Sequence, residues 1–234
     1  NKKSEWKNEE RGLSPTDMAM HVALPEMDGR IFAGVASFKE KMSKDVRLEF
    51  NEIKHQSYKN GIKSITRKTK AWINLQKYPL ENKKLAFILS SYPGKNWQTA
   101  HAVGLDTISS VEVMLKDLNY IEKNKKLNII TNLNNKTVKW SVLNYKKALE
   151  NIPKKLKNDL LKKWGQPEKD KSCINNFFVF KGFFLKNMFL AIQPERSNTI
   201  SKKNDYHDLD LIPSHGYVAF YLWLQSKMLC EGLI

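Results

Sequence analysis

"KKLAFILSSYPG", residues 83–94, decides the fold. Its apolar residues run without a break from Leu85 to Leu89 and stop at a Tyr-Pro-Gly turn signal, the pattern of a strand covered on both faces of an α/β sheet. A loop over residues 91–107 follows. Then comes "SSVEVMLKDLNYI" (109–121), in which Val111, Met114, Leu115 and Leu118 form one apolar helix face. Strand, loop and helix in this order predict a mixed α/β fold built from Rossmann-like units, with ligand expected at the loop, because such loops sit at the carboxyl ends of parallel strands.

Working toward the N-terminus, Ser14-Pro15-Thr16-Asp17 reads as a helix start: Ser caps free amides, Pro suits the first turn and Asp favours the positive end. The spacing predicts a short helix to about Leu24, stopped by Pro25, a turn at Asp28-Gly29 and an extended "IFAGVASF" (31–38). Residues 52–78 carry Ile62, Ile65, Trp72, Leu75 and Tyr78 at helical spacing and predict one long helix. Toward the C-terminus, helices are predicted over 137–150 and 153–164, separated at Pro153. "NNFFVFKGFFLKNMFLAIQPE" (175–195) reads as two strands joined near Lys181-Gly182, the second apolar enough to be central. A last helix runs from about Gly216 to Met228. The expected division is 1–80, belonging to a preceding domain, and 81–234, an α/β domain truncated at its C-terminus.

The formal charge of +16 permits a nucleic-acid partner. However, all 40 basic residues except Arg11, Arg30, Arg47, Arg67 and Arg196 are Lys, scattered among Asn and Ile. A solvated basic exterior fits that pattern better than a phosphate-reading surface, and no specific nucleic-acid site is expected. Cys173 and Cys230 stand far apart without metal spacing, which fits a reducing cytoplasm. No apolar run reaches the roughly 20 residues a membrane helix needs. The chain begins at Asn1 and ends at Ile234 directly after an apolar stretch, which reads like a piece of a longer protein.

The loop after the first strand holds Gly94, Lys95, His101 and Gly104, yet neither the Walker A spacing nor the dinucleotide fingerprint is present. It reads as a structured turn shaping a cleft, with Asp106-Thr107 capping the next helix. Glu26 and Asp28 are a carboxylate pair suited to acid/base work or a cation; pinning the turn is the simpler role. The third constellation is "YHDLDLIPSHGYVAFYLWLQ" (206–225). It offers His207, Asp208, Asp210 and His215, with Gln193, Glu195 and Arg196 delivered from the end of a strand. Imidazole and carboxylate together suit a borderline divalent metal. Against that stands a plain alternative, in which Ser214 caps a buried helix and the histidines are structural.

Three blocks in order bring a family into view. "GLSPTDMAMHVALPEMDGRI" (12–31) with "ASFK" (36–39) comes first, then "SSYPGKNWQTAHAVGLDTISSVEVMLKDL" (90–118). Last come "WGQPEKD" (164–170), "AIQPERS" (191–197) and "YHDLDLIPSHGYVAFYLWL" (206–224). Together they resemble the CobN-type large subunits of aerobic cobaltochelatases, which are similar to the large subunits of magnesium chelatase. The resemblance runs from about Gly12 to Leu224. It implies an internal part of a very large cytoplasmic protein, a ligase forming nitrogen–metal bonds. The reaction implied is ATP-driven insertion of cobalt(II) into the tetrapyrrole hydrogenobyrinic acid a,c-diamide during cobalamin synthesis. ATP and Mg would be used by two smaller partner subunits, an AAA+ ATPase and its integrin-like companion, and not bound by this chain. In the family, the helix resembling 216–225 leads into an HxGxHGxxExxPGK segment; "SKMLCEGLI" (226–234) stands here instead, and Ser197 replaces a Gly usual after "QPxR". The chain alone is therefore expected to be inactive.

A chelatase removes two pyrrole protons, strips water from Co²⁺ and holds a ring with acidic arms. Carboxylates or imidazoles suit the first two tasks, and Arg or Lys the third. The resulting candidates are His207, Asp208 and His215 for the proton and metal path, with His207 and His215 as metal ligands. Lys95 and Arg196 are candidates for the acidic arms, and Trp97, Tyr206 and Tyr217 for ring contact. The polar half of 206–225 is expected to line the cleft, and Tyr217 to Leu224 to form a buried helix.

Overall fold

The computed structural model describes residues 3–9, 12–45, 47, 49–90, 105–197, 208, 210–228, 232 and 233. The chain divides into two units, Asn1–Lys77 and Tyr78–Ile234.

In the first unit, helix α1 (Lys3–Asn8) precedes a longer helical stretch made of α2 (Pro15–Met18), a π turn (Ala19–Ala23) and α3 (Leu24–Met27). Ser14 caps it as read, its hydroxyl accepting from the Asp17 N–H at 3.1 Å. Pro25 does not stop this helix, which continues to Met27 before the turn at Gly29 (φ 78°). The wider π turn just upstream makes room for a proline ring that would clash with the carbonyl of an ordinary preceding turn. An antiparallel hairpin follows, β1 (Ser37–Asp45) and β2 (Phe50–Ser57), in register Ser37↔Ser57. The predicted helix over 52–78 therefore starts later, as α4 (Lys59–Lys77). A small aromatic cluster holds the unit: Phe38 lies 5.4 Å from the Trp6 ring and 5.5 Å from Tyr58. Gly61 lets α4 approach the chain at Val35, whose carbonyl oxygen a Cβ there would meet at 1.9 Å.

The second unit is a mixed sheet between two helical layers. Its elements in order are β3 (Leu85–Leu89), α5 (Thr107–Asp117), α6 (Ile129–Asn135), β4 (Thr137–Ser141), α7 (Val142–Leu149), α8 (Lys154–Trp164), β5 (Cys173–Ile174), β6 (Phe177–Leu185), β7 (Met188–Ile192), α9 (His215–Trp223) and β8 (Gly232–Leu233). The strand order is β4-β6-β7-β3-β8, with β5 beside β6. β3 pairs in parallel with β7 and β8, and the β4, β6 and β7 pairs are antiparallel.

β3 shows why its sequence is continuously apolar. Ala86 and Ile88 pack into the core shared with α7, α8 and α9, while Leu85, Phe87 and Leu89 pack into the core shared with α5 and α6. β7 alternates likewise, with Phe189 and Ala191 on the first side and Met188 and Leu190 on the second. It is central, as its composition predicts.

Two expectations change here. Residues 137–141 form β4 rather than the first turn and a half of a helix, since Val138 and Trp140 sit on one face and Trp140 is buried; Ser141 then caps α7. The strand pair turns at Lys186-Asn187, with Lys186 at φ 54°, and not at Lys181-Gly182. Gly182 is a strand residue where the neighbours press in: a Cβ would meet the Phe189 ring at 2.7 Å and Ala191 Cβ at 2.8 Å. Among the described residues no helix is long and apolar enough to cross a membrane.

Candidate functional site

At the carboxyl edge of the sheet, Gln193 extends the β3–β7 ladder by one bond, its N–H donating to the Leu89 carbonyl at 2.8 Å. The Gln193 side-chain amide then donates to the phenol oxygens of Tyr217 (3.1 Å) and Tyr221 (2.6 Å), fixing the strand end to α9. Burial, and next its bond to Tyr217, push the Tyr221 phenol up to about 12, so it remains a neutral donor. Beyond Gln193 the chain is irregular and pairs with the segment leading into α9. The Ser214 N–H donates to the Arg196 carbonyl (2.8 Å), the Ser214 hydroxyl to the Glu195 carbonyl (3.3 Å) and Arg196 Nη2 to the Leu211 carbonyl (3.2 Å). Ser214 is also the N-cap, accepting from the Tyr217 N–H at 3.3 Å. Asp208 and Asp210 are exposed, and the Asp208 carboxylate accepts from the Asp210 N–H at 2.9 Å.

Behind this edge, residues 164–172 clamp the same helix start. Trp164 Nε1 donates to the Ile212 carbonyl at 3.0 Å. The Asp170 carboxylate, 7% exposed, accepts from the Ser172 N–H (2.9 Å), the Ser172 hydroxyl (2.6 Å) and the Gly216 N–H (3.1 Å). Gly216 packs closely here: a Cβ would meet Ser172 Oγ at 2.1 Å and push that hydroxyl off Asp170. Negative charge beside the first turn of α9 is also favoured by the helix dipole.

His215 is fully buried. Its Nε2 lies 3.0 Å from the Gly165 carbonyl and its Nδ1 2.8 Å from the Tyr145 hydroxyl. A carbonyl only accepts, so Nε2 carries the proton and Nδ1 accepts from Tyr145. Burial lowers the His215 pKa, outweighing the Gly165 bond and the charges of Asp170 and Glu168. Burial first, and Asp170 next, raise the Tyr145 phenol far above its ordinary range.

This predicts an acid-sensitive fold. With the folded pKa depressed, the unfolded chain takes up the proton first as pH falls. The contribution is therefore whole above about 6.5 and declines as pH drops through and below it. Melting temperature followed between about pH 8 and 5 should fall less steeply on the acid side for His215→Gln than for the parent chain; identical slopes would contradict this.

Arg196 and Tyr217 thus lie on or beside one edge, and His215 lies behind it in the core; Asp208 is exposed, its carboxylate bonded to the Asp210 N–H. Lys95, Trp97, Tyr206 and His207 lie outside the described residues. Glu26 and Asp28 are exposed at their turn in the first unit. The loop 91–104 is likewise outside the described residues, but Asp106 caps α5 as read, accepting from the Ser109 N–H at 3.0 Å. Among the described residues no group of three or more His, Cys, Asp or Glu side chains is gathered to hold a metal. Residue-by-residue reading overlooked Tyr145, Trp164, Asp170 and Tyr221. Trp164 and Asp170 belong to "WGQPEKD", a block with a visible signal, whereas Tyr145 looks like any apolar position of an amphipathic helix.

In open, parallel α/β sheets ligand sites lie at the carboxyl ends of the strands; here β3 and β7 are the long parallel pair, and Gln193 stands at its carboxyl end. Residues 1–234 match the family described as CobN/Magnesium Chelatase, and the chain belongs to that family. It is 27% identical over 258 residues to the aerobic cobaltochelatase subunit CobN of Sinorhizobium sp., covering 99% of this chain and 20% of that protein. It is 28% identical over 248 residues to the subunit of the same name from Pseudomonas aeruginosa, covering 98% of this chain and 20% of that one. Among solved structures, the catalytic subunit of cobaltochelatase from Mycobacterium tuberculosis superposes with a TM-score of 0.75 at 25% identity, over 98% of this chain and 21% of that one. The chain thus spans about a fifth of the length of these relatives.

Proposed function

We propose that this chain is part of the tetrapyrrole-binding large subunit of an ATP-dependent cobaltochelatase. Its reaction inserts Co²⁺ into hydrogenobyrinic acid a,c-diamide, with release of two pyrrole protons, on the way to cobalamin. The observation that carries the reading is the family match over residues 1–234. Cobalt is preferred to magnesium, the family's other metal, because both bacterial relatives and the superposed structure carry the cobalt name. ATP and Mg are used by two smaller subunits, the AAA+ ATPase and its integrin-like companion, and the assembly works in the cytoplasm.

The sheet edge supports a role for unit 78–234 in holding the ring. Arg196, whose Nη2 donates to the Leu211 carbonyl, carries the charge that suits an acidic arm. Tyr217 suits contact with the ring, and Asp208, exposed on irregular backbone, suits proton removal. Lys95, Trp97, Tyr206 and His207 keep the roles their chemistry gives them. Unit 1–77 belongs to a neighbouring domain of the complete subunit; its helical stretch from Pro15 to Met27 buries no residue and leaves Met20 and Met27 exposed, as a surface covered by other parts of a larger protein would.

The test is metal insertion by the complete subunit with both partners and ATP. Cobalt product from hydrogenobyrinic acid a,c-diamide is expected, with none when ATP or the ATPase is omitted. Insertion of magnesium into protoporphyrin IX instead would assign the chain to the family's other reaction.

A further inference from the structure

We propose that His215 is a positioning residue, which holds the segment 210–214 and Tyr217 at the sheet edge and does not ligate the metal. The inference rests on the chelatase reading above for its consequence in turnover, but its core is geometric. A ligand imidazole needs a free nitrogen lone pair and an open path to it. His215 has neither: the Nδ1 lone pair receives the Tyr145 O–H at 2.8 Å, and Nε2 spends its proton on the Gly165 carbonyl at 3.0 Å. No part of the residue reaches solvent. The Tyr145 and imidazole rings meet edge to face, with planes at 86°, so the hydroxyl and the ring are fixed relative to each other.

These two bonds join three elements. Tyr145 belongs to α7, Gly165 ends α8, and His215 opens α9, whose next residue, Gly216, is held by Asp170. Swinging the imidazole toward a metal would break both bonds and pull on a helix start that Asp170 holds at the Gly216 N–H. The ring instead fixes α9 in register, and α9 in turn places Tyr217 against Gln193 and Ser214 against Arg196.

Two measurements test this. In the first, the 234-residue chain is titrated with Co²⁺ and the His215 ring resonances are followed by NMR; this does not depend on the chain's being a chelatase. The ring is expected to keep its Nε2–H tautomer, with no more than a through-space pseudocontact shift from Co²⁺ held elsewhere, whereas a change of tautomer or the large contact shift and broadening of a coordinated imidazole at His215 would overturn the proposal. In the second, Tyr145→Phe and His215→Gln are made in the complete subunit, singly and together, and insertion is assayed with the partners present. Tyr145→Phe removes one buried hydroxyl whose partner is the His215 imidazole. It is expected to lower kcat about tenfold through misplacement of the edge while leaving KM for Co²⁺ within about twofold of the parent value. The double variant is expected to lose no more than His215→Gln alone, as partners in one bond should. Full activity of Tyr145→Phe, or a rise in KM for Co²⁺ in His215→Gln, would overturn it. If His215→Gln does not fold, Tyr145→Phe alone decides. A parent subunit that inserts no cobalt refutes the cobaltochelatase reading, and the NMR titration still decides the role of His215.

Discussion

Replacing Phe220 by Ala is expected to lower the unfolding free energy of the α/β unit by about 3–5 kcal/mol, the usual cost of truncating a buried aromatic ring. Phe220 is fully buried at the centre of α9. Its ring lies 5.3 Å from Phe180 on β6 and 6.5 Å from Trp223, which in turn packs on Phe189 of β7 at 4.8 Å. Removing the ring leaves a cavity between a helix and the middle of a sheet, and neither can close it without breaking ladder bonds. The neighbouring Leu222 is only half-buried and packs at the margin of the same core, so Leu222→Ala should cost clearly less. The denaturant midpoint of the two variants measures this. A loss below about 1 kcal/mol for Phe220→Ala would mean that α9 is not enclosed as described.

The same helix shows how much of the fold could be read in advance. A stretch apolar all round its circumference has to be buried, and a strand that is apolar at every position has to be covered twice, as Leu85 to Leu89 are. Both follow from the one-dimensional pattern because extensive burial leaves little place for a polar residue, although Tyr217, Val218, Tyr221 and Leu222 keep part of their surface open. Elements with one wet face were harder. β1 and β2 carry Lys39, Glu40, Lys54 and His55, and their lysine-rich surface merged into the pattern of α4. β4 is five residues long and its hydrophobic positions, Val138 and Trp140, merged with those of α7. Gly182 suggested a turn because glycine serves both for left-handed backbone and for close approach, and only the packing of Phe189 and Ala191 distinguishes the two.

The candidate site was legible as blocks of sequence and not as geometry. "WGQPEKD", "AIQPERS" and the stretch before α9 were each visible, yet nothing in their spacing says that Asp170 caps Gly216 or that Ser214 bonds Arg196. Those contacts are made by the sheet, which brings the end of β7 beside the entry to α9, and by α8, which delivers Gly165. The histidine placed among the candidate ligands lies behind the edge because Tyr145, seventy residues upstream, supplies its partner. A long-range bond of this kind leaves no trace in local periodicity.

The second large effect concerns the edge itself. Arg196 spends Nη2 on the Leu211 carbonyl and stands where the chain leaves the carboxyl end of β7. If this edge holds an acidic arm of the ring, Arg196→Ala loses a charge-assisted pair, and tetrapyrrole affinity should fall by roughly 10- to 100-fold. The most direct measurement is fluorescence titration of the complete subunit with hydrogenobyrinic acid a,c-diamide, parent beside Arg196→Ala, with the melting temperature of each recorded. The predicted result is a Kd raised by at least about tenfold for Arg196→Ala with little change in melting temperature, whereas equal affinity of the two folded proteins would contradict the assignment of this sheet edge to the tetrapyrrole.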